Sequence, residues 1–281
     1  MPSLAILSVP LVVAALVLLI GFAGCDQVFG LDPIVGHDYD DGVTSHPSLV
    51  SFWHLGEPTG PVAADSKGGH HGTYVSGPLA PDLPDGSAGA PGTLTFSQPG
   101  LISSEPAKLS IYVDGGRVEV PFTPDLNTAA FTVVAWVRTG WTESDPVAYR
   151  AVLDSRDQLA GGQKFGYALF ANIANEWSAW IGDGTTGPYR IASTGGTIAL
   201  GTTDYLAMTY DGTLKMYVNG EERASLSAPL GVNAARPLFI GEGAPMLPTP
   251  FFPFAGNIAE VSYFNEALDH EAIVDIGMGS A

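Results

Sequence analysis

Asp65-Ser-Lys-Gly-Gly-His-His-Gly-Thr-Tyr74 is the stretch of the chain from which its fold can be argued most directly. Its glycines adopt positive φ angles at no steric cost, so they allow a short loop to fold back on itself. A loop of this kind can direct the Asp65 carboxylate and several backbone carbonyls at one point. Hard cations such as Ca²⁺ are bound by oxygen ligands of this type. The stretch therefore predicts a tight loop with the capacity to hold calcium.

Two further motifs accompany this loop in a fixed order along the chain. Ser51-Phe-Trp-His-Leu-Gly-Glu57 precedes it, and Phe254-Ala-Gly-Asn-Ile-Ala-Glu-Val-Ser-Tyr-Phe264 lies near the far end. Together they resemble the laminin-G-like family of concanavalin A-like sandwiches, in its bacterial form. The resemblance covers most of Pro47 to Gly277. It implies an all-β fold, an antiparallel jelly-roll β-sandwich.

The middle of the chain carries signals for strands and hairpins. Phe131 to Arg138 is β-branched and aromatic with partial alternation, which predicts a strand. Asp211-Gly212 and Asn219-Gly220 separate alternating segments and predict type I′ hairpins, whose two central residues both need positive φ. Residues 265–277 are expected to carry a short helix. Its buried side is predicted to hold Leu268, Ile273 and Ile276.

Composition and charge narrow the function further. The chain has 35 Gly and 22 Pro against 14 % charged residues, which fits many short strands joined by turns. Its net charge is −18, with 29 acidic and 11 basic residues. Nucleic acids and anionic lipids need a basic surface, so neither is expected as a partner. The acidic surface is compatible with bound divalent cations, or it serves only to keep the domain soluble.

The amino terminus resembles an export signal. Leu4 to Ala23 is almost wholly apolar, and the small residues that follow predict a secretory signal. Cys25 directly after Ala-Gly resembles a bacterial lipobox, which implies that Cys25 is lipidated and attaches the protein to a membrane of the cell envelope. A basic segment before the apolar run is missing. About 20 apolar residues can also span a bilayer, so an uncleaved anchor is the alternative.

The predicted domain organisation follows from these segments. Residues 1–25 form the lipoprotein signal peptide, residues 26–46 a tether without hydrophobic periodicity, and residues 47–281 the laminin-G-like sandwich. Cys25 is the only cysteine, so the sandwich has no disulfide and depends on its core for stability.

The calcium hypothesis uses Asp65, the backbone carbonyls from Gly68 to His70, and Glu260 as ligands. The family commonly has an Asp just before this Glu, whereas Ala259 stands there in this chain. Fewer charged ligands would give a weak site. The alternative is that Asp65 caps its own turn and that Glu260 is hydrogen-bonded or solvated at a strand end.

Catalytic and transition-metal motifs are missing. His54, His70 and His71 are not expected to share a zinc ion, and Val274 stands where a zinc-protease motif beginning at His270 needs its second His. Neither Gly-x-Ser-x-Gly nor a phosphate-binding loop occurs. Glu143, Asp145 and Glu176 do not form the clustered carboxylate strand that glycosidases of the related sandwich fold use. The chain is therefore not expected to be an enzyme, although carboxylates converging from distant strands remain an alternative.

Aromatic residues carry the remaining functional signal. Trp141, Trp177 and Tyr189 are predicted to bind a ligand, because flat rings stack on sugar faces and form protein hot spots. Trp141 and Tyr189 lie beside turns and are expected to be exposed. The alternative for each ring is a place in the core.

These observations favour non-catalytic recognition of a glycan or glycoconjugate by an exported, lipid-anchored module, with Ca²⁺ as a possible cofactor. A module for adhesion to an envelope protein is the second hypothesis. A polysaccharide hydrolase or lyase on the same fold is the third. The ligand itself depends on loop shape, which no motif encodes.

Overall fold

The structure is a computed structural model that describes residues 38–76, 92–243 and 252–278. The predicted signal peptide with Cys25 lies outside these residues, as does most of the predicted tether. The helices are α1 (Tyr39–Thr44), a 3₁₀ turn (Pro124–Leu126) and α2 (His270–Met278). The strands are β1 (Leu49–Trp53), β2 (Val62–Ala63), β3 (Gly72–Val75), β4 (Thr93–Pro99), β5 (Leu109–Asp114), β6 (Arg117–Val120), β7 (Phe131–Thr139), β8 (Arg150–Asp154), β9 (Asp157–Gln158), β10 (Lys164–Phe165), β11 (Tyr167–Ala171), β12 (Trp177–Ile181), β13 (Arg190–Ser193), β14 (Thr203–Tyr210), β15 (Thr213–Val218), β16 (Glu221–Ser227), β17 (Leu238–Ile240) and β18 (Ala255–Phe264).

Two eight-stranded sheets form the domain. Sheet A has the order β16-β15-β14-β7-β18-β5-β4, with β1 also paired to β18, and sheet B has the order β13-β12-β11-β8-β17-β6-β3-β2. The named strands of both sheets pair antiparallel. A small β9–β10 ribbon accompanies them. The predicted antiparallel β-sandwich is confirmed.

Strand β7 is buried over most of its length because both of its faces are covered. Its Val133, Ala135 and Val137 belong to the main core between the sheets. Its Val134 and Trp136 belong to a second apolar cluster, to which both α-helices contribute. Since successive side chains of a strand point to opposite faces, this arrangement gives a nearly continuous apolar sequence rather than a clean alternation.

Helix α1 corrects the expected tether at its carboxyl end. Tyr39 and Val43 are four residues apart, lie on one face of the helix and are buried in the second apolar cluster beside Phe52 and Phe264. The Asp38 side chain accepts a hydrogen bond from the Asp40 N–H at 2.9 Å and caps the helix. The prediction of a tether is therefore wrong for residues 39–44.

The short carboxyl-terminal helix is confirmed as α2. Leu268, Ile273 and Ile276 are all buried in the second apolar cluster, as the spacing predicts. No helix in the described ranges combines the length and the apolar character of a membrane-spanning segment.

The two hairpins differ in their turn geometry. Asn219 and Gly220 have φ angles of 53° and 82° and connect the paired residues Val218 and Glu221, as a type I′ turn requires. In the β14–β15 hairpin only Gly212 has a positive φ, of 105°. There Tyr210 pairs with Leu214, so three residues form the loop and the predicted type I′ turn is wrong at this position.

Candidate functional site

The Asp65 carboxylate organises the loop that contains it. Its Oδ1 accepts hydrogen bonds from the N–H groups of Phe52 and Lys67 at 2.8 and 2.9 Å. Its Oδ2 accepts from Gly68 and His70 at 3.1 and 2.9 Å. Burial raises the pKa of this carboxyl, but the four N–H donors outweigh burial and hold it below its usual range. A carboxylate has about four lone-pair positions, so these donors satisfy Asp65 and close the loop.

Two neighbouring groups complete the loop. A Cβ atom at Gly68 would lie 2.2 Å from the Val50 carbonyl oxygen, so this position requires glycine for close approach. The His70 carbonyl, predicted to bind calcium, accepts a hydrogen bond from Trp53 Nε1 at 2.9 Å, and His70 Nδ1 lies 2.7 Å from Ser51 Oγ. The loop geometry matches the alternative in which Asp65 caps its own turn.

Glu260 lies in a different cluster from Asp65. It is buried at a β18 bulge with a φ of 53°, and its Oε2 lies 2.9 Å from His54 Nδ1. Ligand atoms of Asp40, His54 and Glu260 lie within 4.8 Å of one another. Lys108 Nζ is 2.6 Å from Asp40 Oδ1 and already supplies positive charge there. The group of possible ligands around Glu260 does not include Asp65. Calcium assistance therefore stays a prediction.

Trp177 is a core residue rather than an exposed platform. It is 2 % exposed, and its Nε1 donates to Asp204 Oδ2 at 2.9 Å. It begins β12 in phase with Ala179 and Ile181, whose side chains also belong to the core between the sheets. A ring this buried offers little face for stacking, so the expectation of an open platform is wrong. Trp177 nevertheless lines a cavity of about 330 Å³, so its part in ligand binding stays a prediction.

Trp141 is also more buried than expected, at 6 % exposure. Its ring meets Phe254 edge-on at 5.4 Å, and its Nε1 donates to Asn175 Oδ1 at 3.2 Å. The Arg150 guanidinium lies over the ring, 4.7 Å from its centroid. The expectation of an exposed ring is wrong. Trp141 nevertheless lines a cavity, so its part in ligand binding stays a prediction.

Tyr189 is half-buried at a separate place. Its ring lies 4.9 Å from the Arg156 guanidinium and 5.9 Å from the Trp180 ring. It lines a cavity of about 410 Å³ together with residues 190–191 and 226–229. Neither Trp141 nor Trp177 is among the residues that line this cavity, so Tyr189 does not form one binding surface with them.

The cavity beside Trp141 is formed by three loops at one end of the sandwich. Residues 140–149 connect β7 to β8, residues 172–176 connect β11 to β12, and residues 194–202 connect β13 to β14. They enclose about 510 Å³, lined by residues that include Trp141, Asp145, Arg150, Asn172, Asn175 and Ile198. We call this space the loop-end cavity. Its volume is within the range of small-ligand sites.

Sequence reasoning missed most of the lining. No motif marks the lining residues Arg150, Asn172, Ile173 and Asn175, and all of them are distant in sequence from the Asp65 loop. Their positions share one feature, because each residue lies in or beside a turn between two strands. In antiparallel sheets every second turn reaches the same end, which is how these residues meet.

The loop-end cavity is amphipathic. Val147 and Ile173 are 76 % and 54 % exposed and line it as apolar groups. Asp145 accepts hydrogen bonds from Thr142 N–H at 2.6 Å and Thr142 Oγ1 at 3.0 Å, and these bonds hold the pKa of its carboxyl below the usual range. Arg150 donates to the carbonyls of Pro146 and Ala148 at 2.9 and 3.3 Å, and burial lowers its pKa.

Three carboxylates, Glu143, Asp145 and Glu176, were not expected to form a cluster. The structure places them at two positions. Glu143 and Asp145 both line the loop-end cavity. Glu176 Oε2 instead accepts a hydrogen bond from Asn172 Nδ2 at 3.2 Å, within the β11–β12 turn.

Solved structures with this fold include carbohydrate-binding proteins. Domain 4 of an extracellular arabinanase from Geobacillus stearothermophilus, solved with arabinotriose, is 18 % identical with a TM-score of 0.52 over 82 % of this chain and 98 % of that one. The binding domain of botulinum neurotoxin DC, solved with SialylT, is 12 % identical with a TM-score of 0.54, over 81 % of this chain and 50 % of that one. Trypanosoma rangeli sialidase, solved with 2,3-difluorosialic acid, is 16 % identical with a TM-score of 0.55, over 83 % of this chain and 33 % of that one.

Sequence comparison identifies the family directly. No curated protein matches the chain. The family model described as the concanavalin A-like lectin/glucanases superfamily matches residues 113–274, which is more than half of the chain. The match contains β7, β8, β11, β12 and β14, which flank the loops of the loop-end cavity. The chain therefore belongs to the concanavalin A-like lectin/glucanase superfamily.

Proposed function

We propose that this protein recognises glycans without catalysis and that the loop-end cavity is the binding site. The observation that carries the proposal is the lining of this cavity, which combines exposed apolar groups with amide, carboxylate and guanidinium groups in about 510 Å³. Sugars present apolar C–H faces and hydroxyl edges, so a site for them needs both kinds of group.

The position of the cavity supports the proposal. Its lining lies on loops held by the strands of both sheets, an arrangement that commonly carries binding residues. Asn175 connects two of these loops, because it accepts from Trp141 Nε1 and also donates through Nδ2 to the Ile198 carbonyl at 3.3 Å. The site is thus preorganised, which reduces the entropy lost on binding. The glycan ligands of the arabinanase domain and the neurotoxin domain are consistent with this proposal.

The pKa of Asp145 argues against this residue as the general acid of a glycosidase. Glycoside hydrolysis requires a carboxylic acid that holds its proton near neutral pH. The Thr142 donors lower the pKa of Asp145, so this carboxyl is ionised at neutral pH and unsuited to donate a proton. Glu143 is the neighbouring carboxylate in the cavity.

A glycan array of the full chain, kept in solution with detergent, tests the proposal. The probe variant is Val147→Ser/Ile173→Ser, which removes apolar groups from the loop-end cavity. Its matched control is Val62→Ser/Leu159→Ser, which changes two exposed apolar residues that do not line the cavity. We expect the probe variant to weaken binding about tenfold and the control to bind as the unchanged chain does.

The other hypotheses give different results. Release of reducing ends from a bound polysaccharide, abolished by Glu143→Gln, would identify a hydrolase. Absence of binding to every glycan would reject the proposal and favour an envelope protein as the partner. Repeating the array in millimolar calcium and in EDTA tests the calcium prediction, since binding that survives EDTA excludes a calcium role in recognition.

A further inference from the structure

A second cavity adjoins the loop-end cavity. It encloses about 330 Å³, and Thr197, Ile198 and Ala199 line both spaces. We call it the adjacent cavity; its own lining includes Trp177, Gly196 and Arg223. Both cavities are therefore lined by one short segment, residues 197–199, which we call the ridge.

The ridge is held rigidly in place. The Ile198 N–H donates to the Asn175 carbonyl at 2.8 Å, and Asn175 Nδ2 donates back to the Ile198 carbonyl at 3.3 Å. The Ile198 side chain is buried in the main core. A ligand longer than one cavity would therefore cross a fixed ridge rather than displace it.

The charges of the two cavities disfavour anionic ligands. Among the residues described as lining them, the cations are Arg150 and Arg223. Arg150 donates through both terminal nitrogens to backbone carbonyls, and Arg223 Nη1 donates to Glu221 Oε2 at 2.9 Å. The carboxylates of the lining outnumber these cations; they are Glu143, Asp145, Asp204 and Glu221.

We infer that the two cavities together bind an uncharged, linear oligosaccharide. This inference rests on the proposed function and adds the class of glycan. A uronic or sialic acid would bring a further carboxylate into a lining in which carboxylates outnumber guanidinium groups, and like charges repel one another. A neutral chain avoids this penalty. Its hydroxyls meet the polar lining, and its additional sugar units occupy the adjacent cavity.

Gly196 offers a sharp test of the adjacent cavity. A Cβ atom there would have Arg223 Nη2 as its nearest neighbour at 3.5 Å, an ordinary van der Waals contact, and its φ lies outside the left-handed region. Gly196→Tyr therefore fills the adjacent cavity without backbone strain, and Gly196→Ala is the matched control. Unchanged circular dichroism and melting temperature establish that both variants fold.

The experiment measures the affinity of the full chain for arabino-, xylo- and cello-oligosaccharides from disaccharide to hexasaccharide. Sialyllactose and oligogalacturonides serve as the charged probes. We expect affinity to rise with the length of a neutral chain and to be at least tenfold weaker for the charged probes. Gly196→Tyr should reduce the affinity for the longest bound chain to that for the disaccharide, and Gly196→Ala should leave both affinities unchanged.

The outcomes separate this inference from the proposed function. Affinity that does not depend on chain length, or an unchanged hexasaccharide affinity in Gly196→Tyr, would overturn the inference. Charged probes that bind more tightly than neutral ones, and lose binding in Val147→Ser/Ile173→Ser, would overturn it while the proposed function stands. Failure of every neutral and charged probe to bind would reject both.

Discussion

At the scale of single residues, Asp65 determines the conformation of the loop around it. Its four N–H donors come from β1 and from the loop itself, so one carboxylate joins the two segments. Asn at this position has only one oxygen, and its amide N–H₂ would face backbone donors. We expect Asp65→Asn to lower the free energy of unfolding by about 2–4 kcal/mol, because about two buried donors lose their acceptor. Urea unfolding at neutral pH measures this loss.

Asp125→Asn is the matched control for this change. Asp125 is an exposed carboxylate that lies 3.5 Å from His70 Nε2, beside the same loop. We expect its replacement to alter stability by less than about 0.5 kcal/mol. Equal losses in the two variants would show that the loop responds to charge rather than to the Asp65 hydrogen bonds.

The pH dependence of the Asp65 contribution has a definite sign. The pKa of this carboxyl is lower in the folded chain than its ordinary value of 3.8. Its contribution to stability is therefore complete above pH 3.8 and is lost as the pH falls through the folded pKa. Asp65→Asn should lack this part of the acid-side loss, which acid titration of circular dichroism measures. If stability falls as steeply at low pH in Asp65→Asn as in the unchanged chain, the Asp65 carboxylate does not make this contribution.

The burial of the aromatic residues could be predicted from the sequence only in part. Trp177 alternates with Ala179 and Ile181, so the pattern of β12 contained the signal that its ring faces the core. Trp141 had no such signal, because it lies in a loop and its burial depends on Phe254, far away in the chain. Tyr189 was expected to be exposed and is half-buried, since Trp180 and Arg156 pack against it.

At the scale of elements, helix α1 contributes to the stability of sheet A. Val43 is fully buried in the cluster that covers the outer side of β7. We expect Val43→Ala to lower the free energy of unfolding by about 1–3 kcal/mol through lost burial and the remaining cavity. Thr44→Ala, at the exposed neighbouring position, should change it by less than about 0.5 kcal/mol. Guanidinium unfolding of the full chain compares them, and equal effects would mean that α1 does not pack stably on the sheet.

The pair of strands β6 and β17 carries a buried carboxyl that senses pH. Glu242 follows β17, and its Oε2 lies 3.3 Å from Nη1 of Arg117 on β6, which also contacts Glu119. Burial raises the pKa of Glu242 from 4.5 to about 7, although Arg117 opposes this effect. Because the folded chain holds this proton more tightly, stability falls as the pH rises from 4.5 to about 7. This change in pKa corresponds to a loss of at most about 3 kcal/mol in the free energy of unfolding.

Replacing Glu242 tests this sign. We compare the free energy of unfolding of Glu242→Gln with that of the unchanged chain. We expect this difference to favour the variant more at pH 8 than at pH 5, because Gln keeps an acceptor for Arg117 without a buried charge. Denaturant midpoints at the two pH values measure the difference. The opposite trend would indicate that the Arg117–Glu242 ion pair, fully formed at high pH, outweighs the cost of burial.

Most elements could be predicted from local patterns, and the exceptions have physical reasons. The strand at Phe131 to Thr139 is marked by its β-branched and aromatic residues, and helix α2 is marked by the spacing of its apolar residues. Helix α1 has six residues, too few for a periodic signal, and packing rather than propensity stabilises it. Its Asp38 cap and the Tyr39–Val43 spacing become informative only beside the apolar outer face of β7.

At the scale of the whole molecule, the loop-end cavity depends on topology. Its three loops are separated in sequence and meet because β7, β8, β11, β12 and β14 are ordered within two sheets. The resemblance predicts a sandwich, but the same sandwich places different loops at its ends in different proteins. The sequence could therefore predict the fold, whereas the site required the positions of Arg150, Asn172 and Asn175 in space.

The net charge of −18 makes a final prediction about the whole molecule. A strongly acidic protein repels polyanions over distances comparable to the Debye length, about 10 Å at 0.1 M salt. A neutral glycan experiences no such repulsion. We therefore expect the affinity for a bound neutral oligosaccharide to change less than about twofold between low and high sodium chloride. The same chain should pass through heparin and DNA columns without retention at low salt. Retention on heparin, eluted by salt, would mean that a local basic surface overrides the net charge and that anionic glycans belong among the ligands.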